Sequence, residues 1–321
     1  MKRTLRIAIT SLAVFLTGIA FMLGSYVSLL QRFPADPANG YFADFYLYTS
    51  PQAKRAAREG QIITILVQPN NSGITSDDEQ VHRRDAWWTG FERRAIADEL
   101  AVVLLIPAFI RPGEDWQIYT HALDRDTLTT ERLDLKRIDL QLIAMITHAR
   151  AELTKMGIQT DDKVLIQGFS ASGMFANRFT ILHPEWVKAA AIGSPGGWPI
   201  APIASWNGEP LPYPAGIADL ESLTNIPFDS ITYNAIPQLI YMGAADTNDS
   251  LDYIDGWDEK DAQLVDKLFG EDPLSRWGKS ESIYHEAGTH VQFLLIDGVA
   301  HDRRELQQYS TEFFKKVLHG E

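Results

Sequence analysis

The stretch Val164-Leu165-Ile166-Gln167-Gly168-Phe169-Ser170-Ala171-Ser172-Gly173 decides how this chain reads. Its apolar first half predicts a buried strand, and a helical pattern follows from Ala171 until Pro184 stops it. Between the two lies a Gly-x-Ser-x-Ser turn. A turn this sharp strains the backbone at Ser170 and lifts its hydroxyl clear of the sheet edge. The positions two before and two after the serine must be small, because strand and helix backbones cross there. Gly168 meets that demand fully, whereas Ser172 stands where such turns usually carry glycine. Ser170 is therefore the candidate nucleophile.

Working outward, apolar runs of strand length recur at residues 62–67, 101–106, 187–192, 237–242 and 291–296, with an aromatic, alternating stretch at 41–50. Helical spacing covers 79–100, 133–156 and 305–318. Apolar strands alternating with helices predict an α/β fold, a mostly parallel central sheet with helices on both faces. The Pro- and Gly-rich stretch 194–236 interrupts the alternation and is expected to form a cap or long loop. Its Trp198, Trp206 and Tyr213 either line an acyl or aryl pocket or pack the loop down.

The chain has 321 residues, 45% hydrophobic and 22% charged, with a net charge of −13 and no cysteine. No basic run outside the amino terminus offers a nucleic-acid face. The absence of cysteine excludes disulfides, thiolate zinc sites and a cysteine nucleophile. Lys2, Arg3 and Arg6 precede an uncharged run over residues 7–30. As a helix that run reaches about 36 Å, enough for a bilayer core of about 30 Å. Residues 1–33 are expected to act as a signal anchor. Gly18-Ile19-Ala20 offers a cleavage site for a signal peptide, but the apolar run continues past it through Phe21-Met22-Leu23. The leading basic residues put the amino terminus inside and the catalytic domain outside the cytoplasmic membrane, or secreted to the periplasm or beyond if the segment is cleaved. Residues 34–40 read as a linker, and 34–321 as one catalytic domain.

In an open parallel sheet, active groups gather at the carboxyl ends of the strands. After the 237–242 strand comes Gly243-Ala244-Ala245-Asp246-Thr247-Asn248-Asp249, and after 291–296 comes Asp297-Gly298-Val299-Ala300-His301. The order Ser170, Asp246, His301 is that of a nucleophile, an orienting acid and a general base on such a sheet. Asp249 is the competing acid, read as an exposed loop carboxylate.

With these motifs the chain resembles the α/β-hydrolase superfamily, in its esterase and polyester-depolymerase-like branch, from about Asp44 to Leu318. The resemblance implies that Ser170 attacks an acyl carbonyl, His301 takes its proton and Asp246 orients the imidazole. It implies an oxyanion hole made by the backbone N–H of Ala171 and by a donor from the loop after the 62–67 strand. That loop reads Pro69-Asn70-Asn71 where the family often has His-Gly; Pro69 has no N–H, and Asn71 is the choice, with Asn70 close behind. No metal or organic cofactor is implied. The expected partners are a small or polymeric ester substrate and, through the amino-terminal segment, the membrane.

Other constellations are weaker. His285 and His290 are five apart, which points helical histidines away from each other, and Gly288 disfavours the helix. The acidic run Asp246, Asn248, Asp249, Asp252 and Asp255 lacks the glycine and closing glutamate of a calcium loop. His82, His121, His148, His183 and His319 are expected in surface or capping roles. The expected function is carboxylic ester hydrolysis through an acyl-enzyme; the alternatives are a peptidase or amidase on the same fold, and a non-catalytic binding protein on a hydrolase scaffold.

Overall fold

Apolar side chains on both sides of the central strands bury the sheet between two helical layers. In the computed structural model, which describes residues 29–253 and 256–320, the strands are β1 Gln31–Phe33, β2 Phe45–Thr49, β3 Ile65–Val67, β4 Val103–Pro107, β5 Val164–Phe169, β6 Val187–Gly193, β7 Ser205–Trp206, β8 Glu209–Pro210, β9 Gln238–Gly243 and β10 Val291–Ile296. The helices are α1 Pro51–Arg58, α2 Glu79–Leu100, α3 Arg125–Thr129, α4 Ile138–Lys155, α5 Ala171–Leu182, α6 Leu220–Thr224, α7 Ser230–Asn234, α8 Glu259–Phe269, α9 Pro273–Glu286 and α10 Arg303–His319. Eight strands form one sheet in the order β1-β2-β4-β3-β5-β6-β9-β10, and β7 pairs only with β8. Pairings from β4 to β10 are parallel, while β1 and β2 enter antiparallel.

The period-two alternation of a strand explains the two layers. Ile65, Val67, Val103, Leu105, Val164 and Ile166 pack on one face with α4 and with Phe175 and Phe179 of α5. Leu66, Leu104, Ile106 and Leu165 pack on the other with Ala86, Ile96 and Ala97 of α2 and with Leu306 and Phe314 of α10. A mostly parallel sheet is therefore covered on both sides, as the sequence pattern predicts.

Three boundaries differ from the sequence reading. β3 starts at Ile65, because Ile62 is 64% exposed and Ile63 makes only an isolated bridge to Thr160. α4 starts at Ile138 rather than 133, since Arg137 takes a left-handed conformation and Leu133 faces solvent. The stretch 34–40 is folded and not a linker: Asp36 caps a short turn at Pro37–Asn39 and bridges to Tyr41.

The folded body also begins before residue 34. β1 pairs with β2, Phe33 stacks on Phe45 at 4.7 Å, Arg32 Nε donates to Asp44 at 2.6 Å, and Leu30 is buried. The apolar run 7–30 lies outside the described residues except for Leu29 and Leu30; among the described residues no helix is long and apolar enough to cross a membrane. A chain truncated after residue 28 is expected to unfold at a higher temperature than one truncated after 33. Losing one buried leucine and a stacked phenylalanine costs roughly 3 kcal/mol or more. In a domain of this size that lowers Tm by about 5–10 °C. Differential scanning calorimetry of the two truncations measures this, and equal midpoints would show that β1 contributes nothing.

Candidate active site

β5 runs straight into α5 through Ser170, which sits at φ 60° and ψ −127°, a conformation L-residues rarely adopt. The crossing is close. A Cβ on Gly168 would stand 1.8 Å from the Ser172 carbonyl oxygen, and one on Gly173 would stand 2.4 Å from that of Gly193. The close approach to the neighbouring strand therefore falls on the residue three after the serine, which lets Ser172 carry a side chain. Its hydroxyl bridges the turn, donating to the Phe169 carbonyl at 2.9 Å and accepting from the Phe169 N–H at 3.0 Å. Gly168→Ala must push strand and helix apart. It is expected to cost ~3 kcal/mol or more of stability and to impair the turn, read as a lowered urea midpoint. An unchanged midpoint would mean that the crossing relaxes freely.

Asp246 follows β9 and His301 follows β10, on two loops tied together by backbone bonds from Ala244 N–H to Ile296 and from Ala245 N–H to Val299. Gly243 makes this possible, since a Cβ there would lie 2.2 Å from the Val299 carbonyl. His301 Nδ1 meets Asp246 Oδ2 at 2.8 Å, and the Asn248 N–H donates to Oδ1 at 2.9 Å. Burial raises the Asp246 pKa, but the hydrogen bonds from His301 and the Asn248 N–H outweigh it, so the carboxyl ends below its ordinary value. A carboxylate only accepts, so Nδ1 carries the proton and Nε2 is left as an acceptor. The ring rests on Phe169 at 4.7 Å between centroids, beside the elbow.

Ser170 and His301 line one cavity of about 640 Å³. Asn71 lines it too, its Nδ2 donating to the Phe169 carbonyl at 3.3 Å. Asn70 is fully buried and turned away, exchanging hydrogen bonds with both backbone groups of Phe109. Ala171 is the first residue of α5, where helix N–H groups lack intrahelical acceptors. The opposite wall is one face of α2, presenting Asp85, Trp88, Glu92 and Arg93.

Several residues read from sequence as exposed or free are buried. Asp249 is 8% exposed and accepts from Arg276 Nη1 at 2.7 Å, away from His301. Arg276 is itself buried and also reaches Asp266. His121 is fully buried on the Phe109 carbonyl, with its pKa pushed down to about 3 by burial. His82 is buried on the Ser76 carbonyl, and His183 pairs with Asp139 at 2.8 Å. None of the three is a surface histidine, though His183 does cap the end of α5, its backbone N–H donating to the Phe179 carbonyl. Trp198 stacks on Phe269 at 4.1 Å and bonds to Ala215, Tyr213 is buried on Leu123, and Trp206 packs near Phe269. None of these three lines the cavity; Trp198 and Trp206 pack the loop onto α8 and α9, while Tyr213 packs into the main core. The sequence reading assigns neither helix, although Ala262, Val265 and Phe269 recur at helical spacing in α8 and the capping box at Asp272-Pro273-Leu274-Ser275 is a local signal for α9. α9 ends at Glu286, so His290 lies off the helix that carries His285.

The strand order, the two helical layers and the strand–elbow–helix turn together define the α/β-hydrolase fold. Solved structures of that fold superpose on this chain. A poly(aspartic acid) hydrolase from Sphingomonas sp. KT-1 matches with a TM-score of 0.58 at 18% identity, covering 88% of this chain and 97% of its own. A poly(3-hydroxybutyrate) depolymerase from Bordetella parapertussis matches with a TM-score of 0.54 at 17% identity, covering 89% and 88%. At such identities the likeness establishes the fold alone. No protein-family model matches the sequence, and no curated protein matches it.

Proposed function

We propose that the protein is a serine hydrolase of carboxylic esters, with Ser170 as nucleophile, His301 as general base and acid, and Asp246 as the orienting carboxylate. The observation that carries this reading is the 2.8 Å contact between His301 Nδ1 and Asp246, on a histidine that shares a cavity with an elbow serine. A serine hydroxyl is a weak nucleophile at neutral pH until a neighbouring base removes its proton. The Nε2 of His301 is the acceptor suited to that task. Attack of Ser170 Oγ on the acyl carbon forms a tetrahedral adduct whose oxyanion draws on the Ala171 N–H and Asn71. His301 then protonates the departing alkoxide. Water, activated by the same ring, releases the acid and restores the serine.

The two superposable structures are named for hydrolysis and depolymerisation, which agrees with a cavity open to a polymer end as well as to a small ester. The amino-terminal segment is proposed to hold the enzyme at the outer side of the cytoplasmic membrane. A fluorophosphonate probe tests the reading: it is expected to label Ser170, and a panel of matched 4-nitrophenyl esters and anilides is expected to show turnover of the esters. Labelling at another residue would remove the mechanism, and faster turnover of the anilides would make the enzyme an amidase.

A further inference from the structure

The wall facing Ser170 carries a charge that the hydrolytic reaction does not use. Arg93 lies about one turn into the second half of α2, is 4% exposed, and lines the same cavity as Ser170 and His301. It also lines a narrow recess behind Gly168 and Phe169. Its Nη1 donates to Gln307 of α10, a neutral acceptor, and its Nε has no hydrogen-bond partner. No carboxylate lies within ion-pair distance of it among the described residues. Burial, and then the like charge of Arg303, lower its pKa to about 10, which leaves it cationic at neutral pH.

A buried guanidinium without a counter-ion is strongly unfavourable, and proteins seldom keep one unless something negative arrives. The other charges on this wall do not supply it. Glu92 attracts Arg93 only at longer range, because its carboxylate is held by Arg303 at 2.7 Å. Asp85 lies eight residues earlier on the same helix, about 12 Å away along its axis at 1.5 Å per residue. Burial lifts its carboxyl to about 6, which leaves it mainly ionised at neutral pH but too distant to pair with Arg93. Gln167 Nε2, a second buried donor without a partner, lies beside Arg93 in the recess, which is too narrow to hold a ligand itself. The cavity is thus acidic toward Asp85 and basic toward Arg93, with the elbow serine between its walls.

We propose that the Arg93 end of the cavity is an anion subsite that receives a carboxylate of the substrate whose acyl carbon Ser170 attacks. This rests on the serine-hydrolase reading and narrows its substrate class to esters bearing a carboxylate. Arg93 suits that role because its planar fork matches a carboxylate in two parallel hydrogen bonds. A cavity of about 640 Å³ has room for both the reacting ester and a charged neighbour group.

The probes are mono-4-nitrophenyl succinate and the neutral 4-nitrophenyl butyrate, assayed on the full chain. The enzyme is expected to prefer the succinate ester in kcat/KM, and Arg93→Met to reduce that preference by about 30-fold, the scale of a charge-assisted hydrogen bond. Arg93→Lys is expected to recover part of it. Because Arg93→Met can fail to fold, calorimetric titration of the unsubstituted chain and of Ser170→Ala with glutarate and with glutaramide provides an independent arm. Glutarate is expected to bind at least tenfold tighter than the diamide, an effect that weakens with salt. Equal affinities, or a preference unchanged in a folded Arg93→Met, would overturn the subsite. Glutarate binding without any ester turnover would keep the subsite and remove the hydrolase reading. Ester turnover without preference would do the reverse.

Discussion

Ser170→Ala is expected to lower kcat for ester hydrolysis by about 10⁵-fold or more, the scale seen when a triad serine is removed, and to abolish fluorophosphonate labelling. The backbone argues that the loss is chemical and not structural. The elbow is held by bonds that alanine keeps, from the Ser170 N–H to Gly193 at 3.0 Å and from the Met174 N–H to the Ser170 carbonyl at 2.9 Å. The melting midpoint should therefore stay close to that of the unsubstituted protein. Ser172→Ala provides the contrast. It removes both hydroxyl bonds to Phe169, which are worth about 1 kcal/mol each, so it should lower stability while keeping kcat within about tenfold. A dead Ser172→Ala beside an active Ser170→Ala would place the nucleophile two residues later and sink the elbow reading.

The contrast between these two serines also shows what the sequence carried. The elbow was legible because its requirements are local: a strand, a small residue where backbones cross, and a helix stopped by proline. The acid and the histidine were legible for a related reason, since each follows the last residue of an apolar strand and parallel strands all end on the same side. The packing of distant side chains was not legible. Nothing near Asp249 in sequence announces Arg276, which comes from α9 across the loop cluster. His121 looked like any loop histidine because its partner, the Phe109 carbonyl, becomes a neighbour only once the chain after β4 folds back. Leu30 looked like the end of an apolar run, yet a Cβ on Gly90 would meet its side chain at 2.9 Å, a contact 60 residues away in sequence. Arg93 falls in the same class: its position in α2 follows from the helical period, but its lack of a counter-ion is a property of α2, α10 and the central strands that meet around it.

The acid is where sequence and structure lead to different physical arguments for one expected result. Asp246→Asn is expected to lower kcat by about 10⁴-fold with little change in KM, the magnitude of the corresponding amide substitution in a serine protease. The carboxylate accepts the Nδ1 proton of His301 and stabilises the imidazolium that forms during attack; an amide in its place presents N–H toward the ring and favours the other tautomer, which points a proton at Ser170. At 1.36 kcal/mol per tenfold change this is roughly 5 kcal/mol of transition-state stabilisation. Asp249→Asn should keep kcat within about tenfold, but not because the side chain is exposed. Asp249 is buried against Arg276 and accepts from the Leu251 N–H at 3.1 Å, and Gly197 leaves it the space to do so. Replacing a charge-assisted hydrogen bond with a neutral one in that setting costs about 1–3 kcal/mol of folding stability, softened because Arg276 keeps Asp266. The two variants therefore separate on different axes: Asp246→Asn in kcat at constant midpoint, Asp249→Asn in the urea midpoint at nearly constant kcat. Steady-state kinetics and equilibrium unfolding on the same preparations measure both. If Asp249→Asn instead loses turnover while folded and Asp246→Asn keeps it, the orienting role passes to Asp249, and the 2.8 Å contact of Asp246 with His301 becomes a structural bond alone.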